Sequence, residues 1–275
     1  MTPRFSDAMT LLPGRVENGT TDFAADLGAD WTIGPKVHGG VMVALCAKAA
    51  RAGYRTDASG ADGAHPVGVS ANFLSAPDPG PVRLRTTVRK RGRRIGLVDV
   101  ELMQGQRACV HAVVTLGVPE HDAVPLYSDG TVAALMAAQP PAGIAPIGPG
   151  HPGAEINHLT RGCDIRPDVA RDSDDGRSPQ FRIWVRPRDG VVDELFALMC
   201  GDISLPVPYA VGRRGWAPTV QLTAYLRALP VDGWLRVLCT TSQIGQDWFD
   251  EDHIVVDSSG RIVVQTRQLA LVPTG

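Results

Sequence analysis

The first half of the chain shows one apolar segment followed by four runs in which hydrophobic and polar residues alternate. The apolar segment, GGVMVALCAKAAR at 39–51, is rich in Ala, Leu and Met, which favour a helix. The alternating runs contain many β-branched residues and are separated by APDPGP, GRR and QGQ turns; they lie at 67–74, 82–91, 95–103 and 108–118. This pattern predicts a helix buried on most sides and four antiparallel strands.

The second half repeats this order of elements. The apolar segment VDELFALMC at 192–200 predicts a helix, and alternating runs predict strands at 219–229, 234–245, 248–256 and 261–272. A shift of the chain against itself by 153 residues places VAL (43–45) over FAL (196–198) and Asp99 over Asp252. A duplicated helix with an antiparallel sheet predicts an α+β fold.

A Pro/Gly-rich stretch, QPPAGIAPIGPGHPG at 139–153, lies between the two halves and has the composition of a linker. We therefore predict an N-terminal domain at 1–118, a linker at 119–155 and a C-terminal domain at 156–275. The C-terminal domain is expected to carry the residues of the functional site.

The composition argues against a nucleic-acid-binding protein and against a membrane-spanning one. The 275 residues include 27 Lys and Arg against 29 Asp and Glu, and a net charge of −2 disfavours a nucleic-acid binder. No apolar run approaches the ~20 residues that cross a bilayer, and the N-terminus shows no export signal, so we expect a cytoplasmic protein without membrane insertion. The five cysteines are odd in number, widely spaced and set among apolar residues, which predicts buried free thiols and no metal site.

Four segments, in this order, carry a resemblance to a known family: VHGGVMVALCAKAA (37–50), FRIWVRPRDGVVDELFALMCGDISLP (181–206), TVQLTAYLRALPVDGWLRV (219–237) and RIVVQTRQLALV (261–272). The chain resembles the bacterial acyl-CoA thioesterase II family over about residues 20–118 and 156–273. The resemblance implies a double hotdog fold, in which an antiparallel sheet wraps a buried helix in each half. It also implies a homo-oligomer that hydrolyses fatty acyl-CoA to free acid and coenzyme A, without a metal or organic cofactor.

The same resemblance implies three catalytic residues, Asp202, Thr219 and Gln268, which activate a water. The repeat places apolar residues at the first-half counterparts Ala49, Pro66 and Val114. Burial of a carboxyl and an amide group is costly unless both are paired, so a polar cluster at these places needs a reason. The chemical reason is an Asp that takes a proton from a water held by Thr and Gln. The structural alternative is that Asp202 caps a local turn.

Two departures from the family pattern affect this site. The family often has Ser before the Asp, where this chain has Gly201. It often has an Asp-His pair two residues after the Thr, where this chain has Gln221 and Leu222. A shorter polar network lowers activity or alters the choice of substrate.

The sequence His38-Gly39-Gly40 stands at the start of the first predicted helix. Glycines there let backbone N–H groups approach a ligand, and the helix dipole favours negative charge, so Gly39 and Gly40 are candidate substrate-binding residues that form an oxyanion hole. The alternative is a tight helix start with a neutral, hydrogen-bonded His38. Single-hotdog thioesterases with the same His-Gly-Gly sequence have an Asp at the position of Ala47, so the first half is expected to be catalytically empty.

The densest positive charge is RKRGRR at 89–94, on a predicted hairpin turn. It has three interpretations, namely a solvated turn, a contact with the phosphates of coenzyme A, or a nucleic-acid contact, and the lack of interleaved aromatic residues disfavours the last. No G-x-S-x-G, H-E-x-x-H or Walker motif occurs. Two functions remain: an acyl-CoA thioesterase, and a non-catalytic protein that binds acyl-CoA or an acyl lipid.

Overall fold

Twelve strands form one antiparallel sheet in the computed structural model, which describes residues 2–56, 63–148, 150–168 and 179–274. The strands are β1 (Leu12–Glu17), β2 (Thr20–Leu27), β3 (Thr32–Ile33), β4 (Lys36–Val37), β5 (His65–Phe73), β6 (Gly80–Arg91), β7 (Gly96–Gln104), β8 (Arg107–Gly117), β9 (Cys163–Asp168), β10 (Gln180–Pro187), β11 (Thr219–Leu226), β12 (Leu235–Thr240), β13 (Trp248–Val256) and β14 (Ile262–Leu271). The α-helices are α1 (Phe5–Ala8), α2 (Gly39–Arg55), α3 (Thr131–Leu135) and α4 (Glu194–Cys200). Strands β3 and β4 pair separately as a two-stranded ribbon.

The order of strands across the large sheet shows the duplication. It runs β1-β2-β6-β7-β8-β5 and then β11-β14-β13-β12-β10-β9, so the two six-stranded halves meet where β5 pairs with β11. Ser70 lies directly opposite Thr223 in this pair. These are the two residues that the 153-residue shift superimposes, and equivalent residues face each other in an antiparallel pair only on a two-fold axis. The sheet register therefore confirms the repeat and its offset.

The two central helices pack against each other on one face of the sheet. Most of α2 is buried, because its own side chains are small or apolar on nearly every side of the helix. All six residues of α4 after Glu194 are also buried, and the Asp193 side chain caps this helix by accepting a hydrogen bond from Phe196 N. One continuous apolar cluster joins both helices to the inward residues of the strands. The predicted buried helices wrapped by antiparallel strands are confirmed.

The structure adds strands that the repeat pattern did not count. In the large sheet, each half has two strands before its central helix, β1 and β2 in the first half and β9 and β10 in the second, and these extend the outer edges of the sheet. Strand β12 ends at Thr240, five residues before the predicted limit, because the segment that follows folds into a turn in which Asp250 accepts hydrogen bonds from the backbone N–H groups of Ser242 and Gln243.

The stretch between the halves contains α3, which packs on the outer face of the second half. Val132 and Met136 contact a small apolar cluster with Trp184 and Trp234. The Trp184 indole N–H donates to the Ala137 carbonyl at 2.8 Å, which holds this segment against the sheet. Within the Pro/Gly-rich stretch at 139–153, residue 149 lies outside the described residues. The predicted domain limits stay a prediction.

Two further expectations concern the cysteines and the membrane. All five cysteines are buried and unpaired, as predicted. Burial raises the pKa of the Cys46 thiol to about 12, so this thiol stays protonated and unreactive at neutral pH. No helix among the described residues is long and apolar enough to span a membrane.

The close packing of α2 on the sheet depends on Gly53. A Cβ atom at this position would lie 2.2 Å from Thr86 Oγ1, and the buried Thr86 hydroxyl is held in place because it donates to the Thr21 carbonyl at 3.0 Å. We expect Gly53→Ala to destabilise the protein, since an overpacking cost of about 1–3 kcal/mol outweighs the gain in helix propensity. Thermal unfolding measures the effect, with Gly28→Ala as the control because a Cβ atom there meets nothing within 4 Å. A Gly53→Ala melting temperature equal to that of the control would contradict the packing argument.

Candidate active site

Asp202 lies in the turn that follows α4 and reaches the start of α2 in the other half. Its side chain is 10% exposed. The Gly40 backbone N–H faces its carboxylate and favours the charged form of the group. His38 Nε2 lies 3.7 Å from Asp202 Oδ2 and 2.8 Å from the Asp202 backbone oxygen. Because that backbone oxygen can only accept, His38 Nε2 carries a proton. The interface between the halves therefore assembles a carboxylate, a histidine and a helix N-terminus.

Two glycines make this approach sterically feasible. A Cβ atom at Gly39 would lie 2.6 Å from Asp202 Oδ2, and one at Gly40 would lie 2.4 Å from the Met199 carbonyl oxygen. Both are well inside van der Waals contact, and the Met199 oxygen belongs to the backbone of α4, which cannot easily move. The Gly39-Gly40 pair is thus required for α2 to meet the end of α4. The predicted helix start at these glycines is confirmed.

The electrostatic environment of Asp202 combines opposing effects. Burial raises the pKa of its carboxyl group, while the nearby His38 and the Gly40 N–H lower it. The net result is a pKa above the ordinary value for aspartate. A carboxylate whose pKa moves toward neutral is a stronger base than a solvated one, as proton abstraction from water requires.

Thr219 and Gln268 form the second part of the site and lie on neighbouring strands. The Thr219 hydroxyl donates to Gln268 Oε1 at 3.0 Å, and Gln268 is 6% exposed. Thr266, two residues before Gln268 on β14, donates its hydroxyl proton to the Gly201 carbonyl at 2.6 Å. Residues two apart on a strand are about 7 Å apart. Because Gly201 directly precedes Asp202, this contact holds the turn that carries Asp202 against β14, the strand that carries Gln268. Neither the Thr219 nor the Gln268 side chain hydrogen-bonds to the carboxylate directly.

Sequence reasoning missed a buried polar network behind Gln268. Glu251, which is 1% exposed, accepts hydrogen bonds from the Gln268 side-chain amide and from Val207 N. Ser204 Oγ lies 3.3 Å from Glu251 Oε2 and 2.9 Å from His253 Nε2. The alternation within WFDEDHIVV already placed Glu251 and His253 on the inward face of the strand. The alternation thus shows which side chains face inward, but it does not show which of them contact the candidate catalytic residues.

Burial also sets the charge of this network. It raises the pKa of Glu251 to about 8 and lowers the pKa of His253 to about 3. Cys239, Glu251 and His253 are the one group in the described part of the chain that could hold a metal ion, with potential ligand atoms within 4.8 Å of one another. The carboxyl oxygens of Glu251 and both ring nitrogens of His253 already have hydrogen-bonding partners, which accounts for the network without an ion.

The sheet register shows how the two halves differ at this place. In the second half Glu251 pairs with Gln268, and His253 pairs with Thr266. The equivalent pairs in the first half are Val98 with Val114 and Val100 with Ala112, all buried. The polar second half therefore differs from the apolar first half at more positions than the three on which the prediction was based.

At the start of α4, an ion pair occupies the place that would be open to a ligand. Asp193 and Glu194 stand at the start of α4, where the repeat equivalents in α2 are Gly40 and Val41. Arg51 Nη1 lies 2.7 Å from Glu194 Oε1, and His65 Nδ1 lies 3.3 Å from the same oxygen. The backbone amide that Gly40 offers to Asp202 thus has no counterpart open to a ligand here. The geometry favours one site per chain.

The departures from the family pattern have structural reasons. A Cβ atom at Gly201 would lie 2.4 Å from Thr266 Cγ2, so a serine does not fit beside this threonine. Gln221 points away from the site and donates to Thr223 Oγ1 at 2.8 Å, on the seam between the halves. Leu222 is buried and lies opposite Gln268 in the sheet. In place of a histidine at 222, His38 from the first half approaches Asp202.

The basic run at 89–94 lies at the other end of α2 from Asp202. Arg89 pairs with Asp99 at 2.6 Å, and Arg91 donates to the carbonyl of Tyr54, near the C-terminal end of α2. A 17-residue helix is about 25 Å long, which separates this run from the helix start at Gly39. Two of its cations are thus used within the chain, and a contact with coenzyme A stays a hypothesis.

Comparison with known protein families shows the family to which this chain belongs. Residues 27–117 match the model of the acyl-CoA thioesterase N-terminal domain, and residues 136–272 match that of the acyl-CoA thioesterase C-terminal domain. The chain belongs to the acyl-CoA thioesterase family. A relative in Mycobacterium tuberculosis H37Rv, described as uncharacterized, is 58% identical to this thioesterase-family chain over 294 aligned residues that cover 99% of each protein.

Solved structures agree with this family membership. A candidate thioesterase II from Thermobifida fusca is 26% identical, with a TM-score of 0.80 over 98% of this chain and 97% of that one. A hot dog fold protein from Alicyclobacillus acidocaldarius (18% identity, TM-score 0.78) and the acyl-CoA thioesterase II TesB2 from Mycobacterium marinum (15%, 0.69) each match over 98% of both chains. These two similarities support the fold alone. The predicted double hotdog fold is confirmed.

The raised pKa of Glu251 predicts a pH-dependent contribution to stability. Between about pH 5 and pH 8 the folded protein holds a proton on Glu251 that the unfolded chain has released, so the free energy of unfolding falls as the pH rises. Glu251→Gln removes this titration. We expect the stability of the wild type relative to the variant to fall by up to about 1.4 kcal/mol per pH unit in this window. Urea unfolding of both proteins across the window measures it, and two parallel stability curves would contradict the assignment.

Proposed function

We propose that this protein hydrolyses the thioester bond of fatty acyl-CoA by attack of a water molecule that Asp202 activates. The observation that carries the proposal is the nearly buried Asp202 carboxylate, which lies against the start of α2 and near enough to Glu251, the partner of Gln268, to raise the pKa of Glu251. Family membership supports thioester chemistry in general. The three residues and the fatty acyl substrate belong to the proposal.

Each group has a role that its hydrogen bonds allow. Because the Thr219 hydroxyl proton goes to Gln268 Oε1, the Thr219 oxygen is left to accept a hydrogen from the water. The Asp202 carboxylate accepts the other proton as the water oxygen bonds to the thioester carbon. The tetrahedral intermediate then breaks its carbon–sulfur bond, and the proton on Asp202 passes to the departing thiolate. The products are the free acid and coenzyme A.

The start of α2 is the proposed site for the thioester oxygen. The first N–H groups of a helix have no acceptor within it, and the helix dipole favours negative charge there. Since the Gly40 N–H faces Asp202, Gly39 is the proposed donor to the developing oxyanion, and Gly40 stabilises the charge of the base. The mechanism uses no metal or organic cofactor.

Replacement of Asp202 by asparagine tests the proposal directly. Asparagine has nearly the same shape and can hydrogen-bond to the Gly40 N–H, but it cannot take a proton from water. We expect Asp202→Asn to lower kcat by ~10²–10⁴, the range typical of a lost general base, with a much smaller change in KM. Thr219→Ala and Gln268→Ala should each cost less, and should add little to Asp202→Asn. Release of free thiol from a panel of acyl-CoAs gives these constants.

The matched control is Asp193→Asn, which makes the same substitution at the start of α4. Asparagine caps helices as well as aspartate does, so stability and kcat should be unchanged. If a folded Asp202→Asn retains most of its kcat, Asp202 is not the base. If the wild type binds acyl-CoA but releases no thiol, the non-catalytic binding function replaces this proposal.

The closed start of α4 predicts a single active site in each chain. Titration with a tight-binding, non-hydrolysable thioester analogue should end at about one equivalent per 29.2 kDa chain. Isothermal titration calorimetry measures this ratio, with Asp202→Asn included to show that binding does not need the base. A ratio of two would mean that the Arg51–Glu194 ion pair does not exclude ligand.

A further inference from the structure

Glu251 lies behind Gln268 and determines which way its amide group faces. A glutamine side chain ends in an oxygen that accepts and a nitrogen that donates, and the two ends have nearly the same shape. The oxygen of Gln268 faces Thr219, while its nitrogen donates to Glu251 Oε2. While the Glu251 oxygen that faces Gln268 accepts, as it does here, only this orientation of the amide makes both hydrogen bonds.

The orientation of Gln268 decides what Thr219 can do. With the amide oxygen toward Thr219, the hydroxyl donates to it, and its oxygen remains free to accept. With the amide reversed, nitrogen would donate to the Thr219 oxygen, and the hydroxyl proton would point at the water. A water that gives one proton to Asp202 needs an acceptor for the other. The reversed amide would therefore oppose the proposed attack.

Glu251 itself is held firmly. Val207 N donates to its other oxygen, Oε1, at 2.6 Å, and Ser204 Oγ lies 3.3 Å from Oε2. Although burial raises the pKa of this carboxyl group, a protonated carboxyl keeps lone pairs that accept from an amide. The contact with Gln268 thus persists in both protonation states when the acid proton lies toward Ser204 Oγ and not toward Gln268.

The first half shows that the sheet does not need a carboxyl group at this place. Val98 takes the position of Glu251 and pairs with Val114, which takes the position of Gln268. Both valines are fully buried. Since a buried carboxyl group costs free energy that a valine does not, Glu251 requires a reason other than closure of the fold.

We infer that Glu251 is a positioning residue for the hydrolysis proposed above, because its contact with the Gln268 amide nitrogen keeps the amide oxygen, and through it Thr219, in the orientation that accepts a hydrogen from the attacking water. The inference rests on the proposed function. It assigns to the carboxyl group an effect on the chemical step and not on substrate binding.

The test variant is Glu251→Gln, which keeps the size and shape of the side chain. Its amide oxygen must face Val207 N to satisfy that donor, so its nitrogen faces Gln268 and reverses the Gln268 amide. We expect kcat to fall about tenfold, as for the loss of one hydrogen bond in the transition state, with KM within about twofold of the wild type. The matched control is Asp252→Asn, on the next residue of the same strand, whose side chain points outward toward Arg267. It should leave both constants unchanged.

A double-mutant cycle separates positioning from a general structural effect. If Glu251 acts through Gln268, then Glu251→Gln costs no further kcat in a Gln268→Ala background. An equal loss of kcat in the two backgrounds would overturn the inference, and so would a rise in KM with an unchanged kcat. Melting temperatures of all variants show whether a loss of activity follows a loss of folded protein.

A second measurement does not depend on turnover. The side-chain amide protons of Gln268, assigned in ¹H–¹⁵N spectra by their absence from Gln268→Ala, should shift in Glu251→Gln and stay in place in Asp252→Asn. Unchanged Gln268 resonances in Glu251→Gln would overturn the inference even if the enzyme is active. If instead the wild type releases no thiol while the resonances shift as expected, the proposed function fails and the control of the amide orientation stands.

Discussion

Antiparallel hydrogen bonding between β5 and β11 merges the two halves into one sheet, with Ser70 opposite Thr223 on the pseudo-two-fold axis. That pairing puts α2 and α4 side by side on the same face, so the start of each helix meets residues from the other half. Gly40 contacts Asp202 at one end, and Arg51 contacts Glu194 at the other. Neither half could form the candidate site alone, because its carboxylate and its helix start come from different copies of the repeat.

The two helix starts satisfy their backbone donors in different ways. Asp193 caps α4 with its own side chain, whereas His38 at the start of α2 provides no such hydrogen bond. The Gly40 N–H instead faces the carboxylate of Asp202, a residue that follows α4 in the chain. A helix without a local cap is thus completed by a carboxylate from the opposite half. The structural alternative was that Asp202 caps a local turn, whereas its carboxylate meets a helix start in the other half. A capping role there would still not explain the polar residues around Thr219 and Gln268.

The sequence predicted the elements whose pattern is local. Both helices, and the four strands that follow each of them, are found where they were expected, with β12 five residues shorter at its end, because alternation and turn residues act over a few positions. Contacts between distant segments could not be read in this way. Nothing in the alternation of β13 shows that Glu251 would face Gln268 and not another inward residue of the sheet. The role of His38 was also hidden, since its partner is 164 residues away.

The offset between the halves was the most informative part of the sequence, because it allows each position to be compared with an internal reference. Val98, Val100, Ala112 and Val114 show which side chains close this sheet when no chemistry is required. Glu251, His253, Thr266 and Gln268 at the same positions each add a desolvation cost that only a complete set of hydrogen bonds can offset. Gly201 belongs to the same rearrangement, since it leaves room for Thr266, which anchors the turn that carries Asp202. A duplicated fold can bear such a cost in one half while the other retains an apolar core, and this division of roles explains why the polar residues are concentrated at a single site.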